Sequence, residues 1–158
     1  MSMGQRRMRD LSSLEDLHSL VGQHVAYSDW VTITQKHIDD FAETSGDRQW
    51  IHVDAERCQR ESPFGSTIAH GFLTLSLVSA MLENAVRLPA ARVTLNYGLN
   101  KVRFPAPVPV DSRLRASLAI LSYEVIDKGV QLGWKVVIER DGGDKPVCVA
   151  QFLMHFYP

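Results

Sequence analysis

Asp47 and His52 stand five residues apart in the stretch SGDRQWIHVD, residues 45–54. Asp47 follows Ser45 and Gly46 just beyond a predicted helix end, so the pair falls in a connecting segment. A loop of that length can bring a carboxylate and an imidazole side by side. A carboxylate beside a histidine favours the imidazolium form and selects which ring nitrogen carries the proton. Such a pair suits acid–base work on water, with one group taking a proton from water and one delivering a proton to carbon. A helix-end carboxylate and a satisfied loop histidine have the same spacing, so the pair does not decide the matter alone. His70-Gly71 is the second element. It opens a predicted helix, whose start offers unpaired N–H groups and partial positive charge, and glycine admits a ligand close to the backbone. A carbonyl lodged there would have its developing enolate stabilised by the Gly71 N–H. Relief of crowding where the helix enters the sheet is the alternative for Gly71, and His70 reads as a structural or capping histidine rather than a catalytic one. Lys101 and Arg103 form a third element. They share one face of a regular strand, either to receive phosphate groups or as an ordinary solvated face.

These residues need elements to hold them. Ser13-Leu14-Glu15-Asp16 resembles a capped helix start, with Leu14, Leu17 and Val21 on one side. Residues 24–33 suit a strand. Thr34 is a predicted N-cap, Ile38, Phe41 and Ala42 follow at helical spacing, and Gly46 is the stop. Another helix is predicted from Asp54 to about Arg60. Residues 71–86 form a helix whose apolar and small residues run nearly all the way round, which requires burial on most sides. After it the pattern alternates: Val93, Leu95, Tyr97 and Leu99; Leu114, Ala116, Leu118 and Ile120; Val130 to Ile138; Ala150 to Phe156. Residues 127–129 and 141–144 are hairpin turns by composition, and the proline-rich residues 104–109 bend or interrupt the strand path. One strand, a mostly buried helix and four antiparallel strands imply an α+β fold, an antiparallel sheet wrapped around a central helix. The open edge of such a sheet is a place for a second copy to pair.

The whole chain narrows the classes. Its 158 residues make one domain, expected over residues 11–158 behind a flexible tail at 1–10. A formal net charge of -1 gives no general attraction to nucleic acid or anionic membranes. Cys58 and Cys148 are too few and too far apart for a disulfide framework and read as reduced. With no signal-peptide pattern and no apolar run able to span a bilayer, a cytoplasmic location is expected. The six histidines show no tight ligand spacing, so no metal is expected.

The run Ser45-Gly46-Asp47-Arg48-Gln49-Trp50-Ile51-His52-Val53-Asp54 resembles the signature of the R-specific enoyl-CoA hydratases, the MaoC-like dehydratases of the hot-dog fold. Residues 68–74 (IAHGFLT) and 102–108 (VRFPAPV) resemble further landmarks of that family, in the same order. The resemblance covers nearly the whole chain from about residue 20 onward. The usual Asn-Pro of the signature is Gln49-Trp50 here, which is similar to the NodN-like branch and related actinobacterial 3-hydroxyacyl-thioester dehydratases. The resemblance implies five or six strands around one long helix and a homodimer. It also implies that Asp47 and His52 activate a water for attack on C3 of a trans-2-enoyl thioester and return a proton to C2. Gly71 would polarise the thioester carbonyl, Gln49 would replace the signature asparagine at the substrate, and Lys101 and Arg103 would meet the phosphates of coenzyme A. The substrate is an acyl-CoA or acyl carrier protein thioester, and no cofactor is implied. Phe72, Leu75, Met81 and Leu82 are candidates for lining an acyl tunnel, with core packing as the alternative. Two other activities share the scaffold: thioester hydrolysis, and acyl-thioester binding without turnover.

Overall fold

A computed structural model describes residues 8–88 and 90–158. In chain order the elements are β1 (Arg9–Asp10), α1 (Asp16–Ser19), β2 (His24–Tyr27), β3 (Val31–Thr32), α2 (Gln35–Ser45), α3 (Trp50–Val53), α4 (Ala55–Glu61), α5 (Gly71–Ser76) and α6 (Val78–Ala85). Then come β4 (Val86–Arg87), β5 (Val93–Arg103), β6 (Arg113–Ile126), β7 (Gly129–Arg140) and β8 (Cys148–Tyr157). A six-stranded antiparallel sheet runs β2-β6-β7-β8-β5, with β3 also paired to β6. This is the expected α+β architecture, with the helix of residues 71–85 against the sheet.

Strand alternation sets the core. Leu114, Ala116, Leu118 and Ile120 of β6, Val130, Leu132, Trp134, Val136 and Ile138 of β7, and Ala150, Phe152, Met154 and Phe156 of β8 all point to one face and are buried there. Each large side chain so buried contributes about 1.5–3 kcal/mol relative to exposure, so this face dominates the stability. Val78, Met81, Leu82 and Ala85 of α6 pack onto it.

Several expectations are corrected. Residues 24–33 are two short strands. The chain leaves the ladder at residues 28–30, where the Ser28 hydroxyl accepts a hydrogen bond from the Ala116 N–H. The helix of residues 71–86 tightens at Leu77, whose N–H reaches the Thr74 carbonyl, and it ends at Ala85 because Val86 pairs with β1. Its burial is one-sided in this chain: Phe72 is 70% exposed, and Ser76 and Ala80 are also exposed. Val21 is exposed while Leu14 and Leu17 are buried, so only those two follow the predicted inward face of α1. Residues 1–7 of the expected tail lie outside the described residues. Arg9 and Asp10, at the end of that range, pair in parallel with Val86 and Arg87.

The local signals around α2 act as read. Thr34 caps it, accepting from the His37 N–H while its own N–H donates to the His37 ring, and Gly46 closes it at φ 80°. Asp54 caps α4 by accepting from the Arg57 N–H. No helix among the described residues is long and apolar enough to cross a membrane.

Candidate functional site

The strap of residues 67–70 builds the site. Its backbone bridges to the proline-rich segment through Ala69 N–H to the Val108 carbonyl (2.8 Å) and Val110 N–H to the Thr67 carbonyl (3.0 Å). On its other side, the Ile68 N–H reaches the Ile51 carbonyl at 3.1 Å. Gln35 of α2 ties in from behind, donating to the His52 carbonyl and accepting from the Thr67 hydroxyl. The prolines of residues 104–109 keep that segment out of the regular ladder, which leaves its carbonyls free to receive the strap.

This scaffold brings Asp47, His52 and His70 together: one ligating atom from each lies within 4.8 Å of the other two. His52 is 6% exposed, and its Nδ1–H donates to the Ile68 carbonyl at 2.7 Å. That bond leaves Nε2 as the bare, proton-accepting nitrogen. Burial pushes the His52 pKa below its ordinary value of 6.5; the Ile68 carbonyl and Asp47 oppose the shift and His70 adds to it. The imidazole is thereby kept neutral and available as a base. Asp47 is exposed, and its Oδ1 accepts from the Gln49 N–H at 3.3 Å. The predicted pair therefore meets, with a neutral histidine in place of the imidazolium that a carboxylate neighbour alone would favour.

A cavity of about 240 Å³ opens beside His52, lined also by Gly71, Thr74, Phe104 and Val108. A Cβ on Gly71 would sit 2.8 Å from the Phe104 ring, so glycine is needed there for close packing against that aromatic. Gly71 is the first residue of α5, where N–H groups lack partners within the helix. Gln49 is exposed at the start of α3, and it is the Gln49 backbone that meets Asp47. Lys101 and Arg103 are exposed on β5 on either side of half-buried Val102; neither lines this cavity, though Arg103 directly precedes Phe104, which does. The alternation over residues 101–103 is the one a shared strand face gives, and a register shift lies just before it, between Leu99 and Val102. Met81 and Leu82 are core, and Leu75 lines a separate groove beside β5 with Leu99 and Phe152.

His70 is the residue that spacing undervalued. It precedes α5 yet makes no side-chain cap; its Nε2–H donates to the Asp47 carbonyl at 2.9 Å, and its ring stacks on His52 with centroids 3.7 Å apart. The signal for it was its place in the strap, next to Gly71. Asp47, His52 and His70 also offer a carboxylate and two imidazoles of the kind that bind metals. With the two rings only 22° from parallel, their in-plane lone pairs run side by side, and one ion could not lie in both ring planes without ring rotation.

The MaoC like domain model matches residues 16–139. The chain belongs to this family. A relative from Mycobacterium tuberculosis, 3-hydroxyacyl-thioester dehydratase Z, is 46% identical over 150 residues, covering 94% of this chain and 99% of the relative. Nodulation protein N of Rhizobium leguminosarum bv. viciae is 42% identical over 156 residues, covering 85% of this chain and 96% of the relative. Among solved structures, R-hydratase PhaJ1 from Pseudomonas aeruginosa, unliganded, superposes with a TM-score of 0.67 at 27% identity, covering 87% of this chain and 81% of that one. The hot-dog architecture expected from the family resemblance is thus the architecture of this MaoC-like chain.

Proposed function

We propose that this MaoC-like chain is a hydro-lyase that adds water R-specifically to trans-2-enoyl thioesters, or removes it from R-3-hydroxyacyl thioesters. One observation carries the reading: buried His52, whose Nδ1 is taken by the Ile68 carbonyl, has a ring nitrogen within 4.8 Å of an Asp47 carboxylate oxygen and lines a cavity that also takes in Gly71. The similarity to 3-hydroxyacyl-thioester dehydratase Z supports it.

The proposed steps use the residues gathered at this site. A water held between Asp47 and His52 attacks C3, and His52 Nε2 accepts its proton as the C3–O bond forms. The C2=C3 π electrons move toward the thioester carbonyl, where the Gly71 N–H stabilises the developing enolate oxygen. C2 then takes a proton from the pair, and the sequence reverses for dehydration. Gln49, exposed at the start of α3, supplies the substrate hydrogen bond given by asparagine in the signature. Lys101 and Arg103 receive the phosphates of a coenzyme A handle, or the acidic surface of an acyl carrier protein.

We also infer a homodimer joined through β5. That strand ends the sheet, and Val93, Leu95, Tyr97 and Leu99 are exposed along it, with Tyr97 62% exposed. An apolar sheet edge of that length is covered by pairing with another strand. A cytoplasmic location suits Cys58 and Cys148, both buried free thiols.

The reading is tested by following the conjugated enoyl thioester absorbance of crotonyl-CoA and of a longer trans-2-enoyl-CoA. Wild-type protein should bleach the signal and form the R-3-hydroxyacyl product, and Asp47→Asn should not. A folded wild-type protein inert toward CoA and acyl carrier protein thioesters of all lengths would refute hydration.

A further inference from the structure

The proposed mechanism makes no use of His70, a side chain that touches both members of the acid–base pair. His70 is 3% exposed. Its ring lies between two others, stacked on His52 at 3.7 Å and tilted against Phe41 at 5.0 Å. Its Nε2–H donates to the Asp47 carbonyl, 23 positions away in sequence. Asp47's other hydrogen bonds are local, its N–H to the hydroxyl of Ser45 at the end of α2 and its carboxylate from the Gln49 N–H two residues on. The His70 bond therefore ties the Asp47 loop to the start of the central helix, where Gly71 sits.

His70 also carries an unfavourable feature. Its Nδ1 is buried without a hydrogen-bond partner among the described residues. An orphaned buried nitrogen destabilises the fold, and a phenylalanine would fill the same space against His52 and Phe41 without it. What a phenylalanine could not do is donate to the Asp47 carbonyl. A helix N-cap does not explain the histidine either, since its side chain makes no cap.

We propose that His70 is a positioning residue. In its Nε2–H tautomer it pins the Asp47 backbone while its ring face fixes the plane of the His52 imidazole, so that the carboxylate and His52 Nε2 converge on one water. The assignment rests on the hydration reading for what the pair does, and on the hydrogen bond and ring stacking alone for what His70 holds.

Two variants separate holding from filling. His70→Phe keeps the stacked ring and loses the donor; His70→Gln loses the ring and keeps an N–H donor of similar reach. With crotonyl-CoA, His70→Phe should lower kcat on the order of 10- to 100-fold with KM nearly unchanged, as expected when reacting groups are displaced by about 1 Å. His70→Gln should recover part of that loss. A wild-type kcat in His70→Phe would overturn the proposal, as would equal losses in both variants that track loss of stability. Nitrogen spectra of histidine-labelled wild-type protein at mildly alkaline pH supply the second readout. They should show His70 as the Nε2–H tautomer and His52 as the Nδ1–H tautomer, and an Nδ1–H tautomer at His70 would overturn the proposal without any turnover. If wild type leaves every enoyl thioester untouched, the hydration reading fails while the spectra still decide what His70 holds.

Discussion

Replacing Gly71 by alanine tests the closest packing in the site. The added methyl would lie 2.8, 2.9 and 3.0 Å from three carbons of the Phe104 ring, where ordinary contact begins at 3.4 Å. Either the ring or the start of α5 must give by about 0.6 Å, the difference between those separations. Gly71 and Phe104 both line the cavity beside His52, so either movement displaces the wall against which the thioester carbonyl would rest. Misplacement of about 1 Å costs about 100-fold in rate, so a shift near half that size should lower kcat/KM by about 10-fold, equivalent to about 1.4 kcal/mol. Overpacking destabilises by about 1–3 kcal/mol, and the half-open position of Phe104 puts this case at the lower end. The assay pairs crotonyl-CoA hydration with denaturant unfolding. Gly71→Ala with Phe104→Ala should regain stability, because the clash is removed. Unchanged kcat/KM in Gly71→Ala would refute the claim that this contact shapes the carbonyl site.

Burial lowers the His52 pKa, so its acid limb in kcat/KM should lie below pH 6.5, the ordinary histidine value. Because the folded value is the lower one, His52 contributes its stability in full above that pH and loses it as pH falls toward the folded pKa; denaturation at several pH values should show a shallower acid loss in His52→Gln. Under the proposed mechanism, in which the two act as a unit, double substitution of Asp47 by asparagine and His52 by alanine should cost scarcely more turnover than either change alone, and additive losses in single-turnover kinetics would separate their roles. Charge reversal of Lys101 and Arg103 to glutamate should raise KM for coenzyme A thioesters while sparing kcat, with the effect shrinking at high salt. Leu95→Asp on the exposed edge of β5 should shift sedimentation from dimer to monomer. Cys148, buried with its thiol pKa pushed up to about 11, should resist thiol reagents until the protein is unfolded.

The features legible in the chain are those with local causes. Thr34 and Gly46 bound α2 because a hydroxyl cap and a left-handed glycine act on backbone groups within four residues. The alternations in β6, β7 and β8 report their buried face because strand geometry repeats every two residues wherever one face meets a core. Asp47 and His52 stood out because a short loop and a family signature keep them close in sequence. Other features depend on partners distant in the chain. The break at residues 28–30 is stabilised by the Ser28–Ala116 hydrogen bond, which spans 88 positions. The ionisation of His52 is not legible from spacing, because desolvation outweighs the opposing pull of the Ile68 carbonyl and Asp47. The all-round apolar helix is half-covered in a single chain because its remaining face and β5 lie together at the open end of the sheet. His70 could have capped α5 or reached elsewhere, and nothing within a few residues of it distinguishes the two. The strap's pairing with residues 108–110 sets its ring against His52 and under the Asp47 carbonyl, so its role is decided by contacts that exist only once the sheet has closed around the helix.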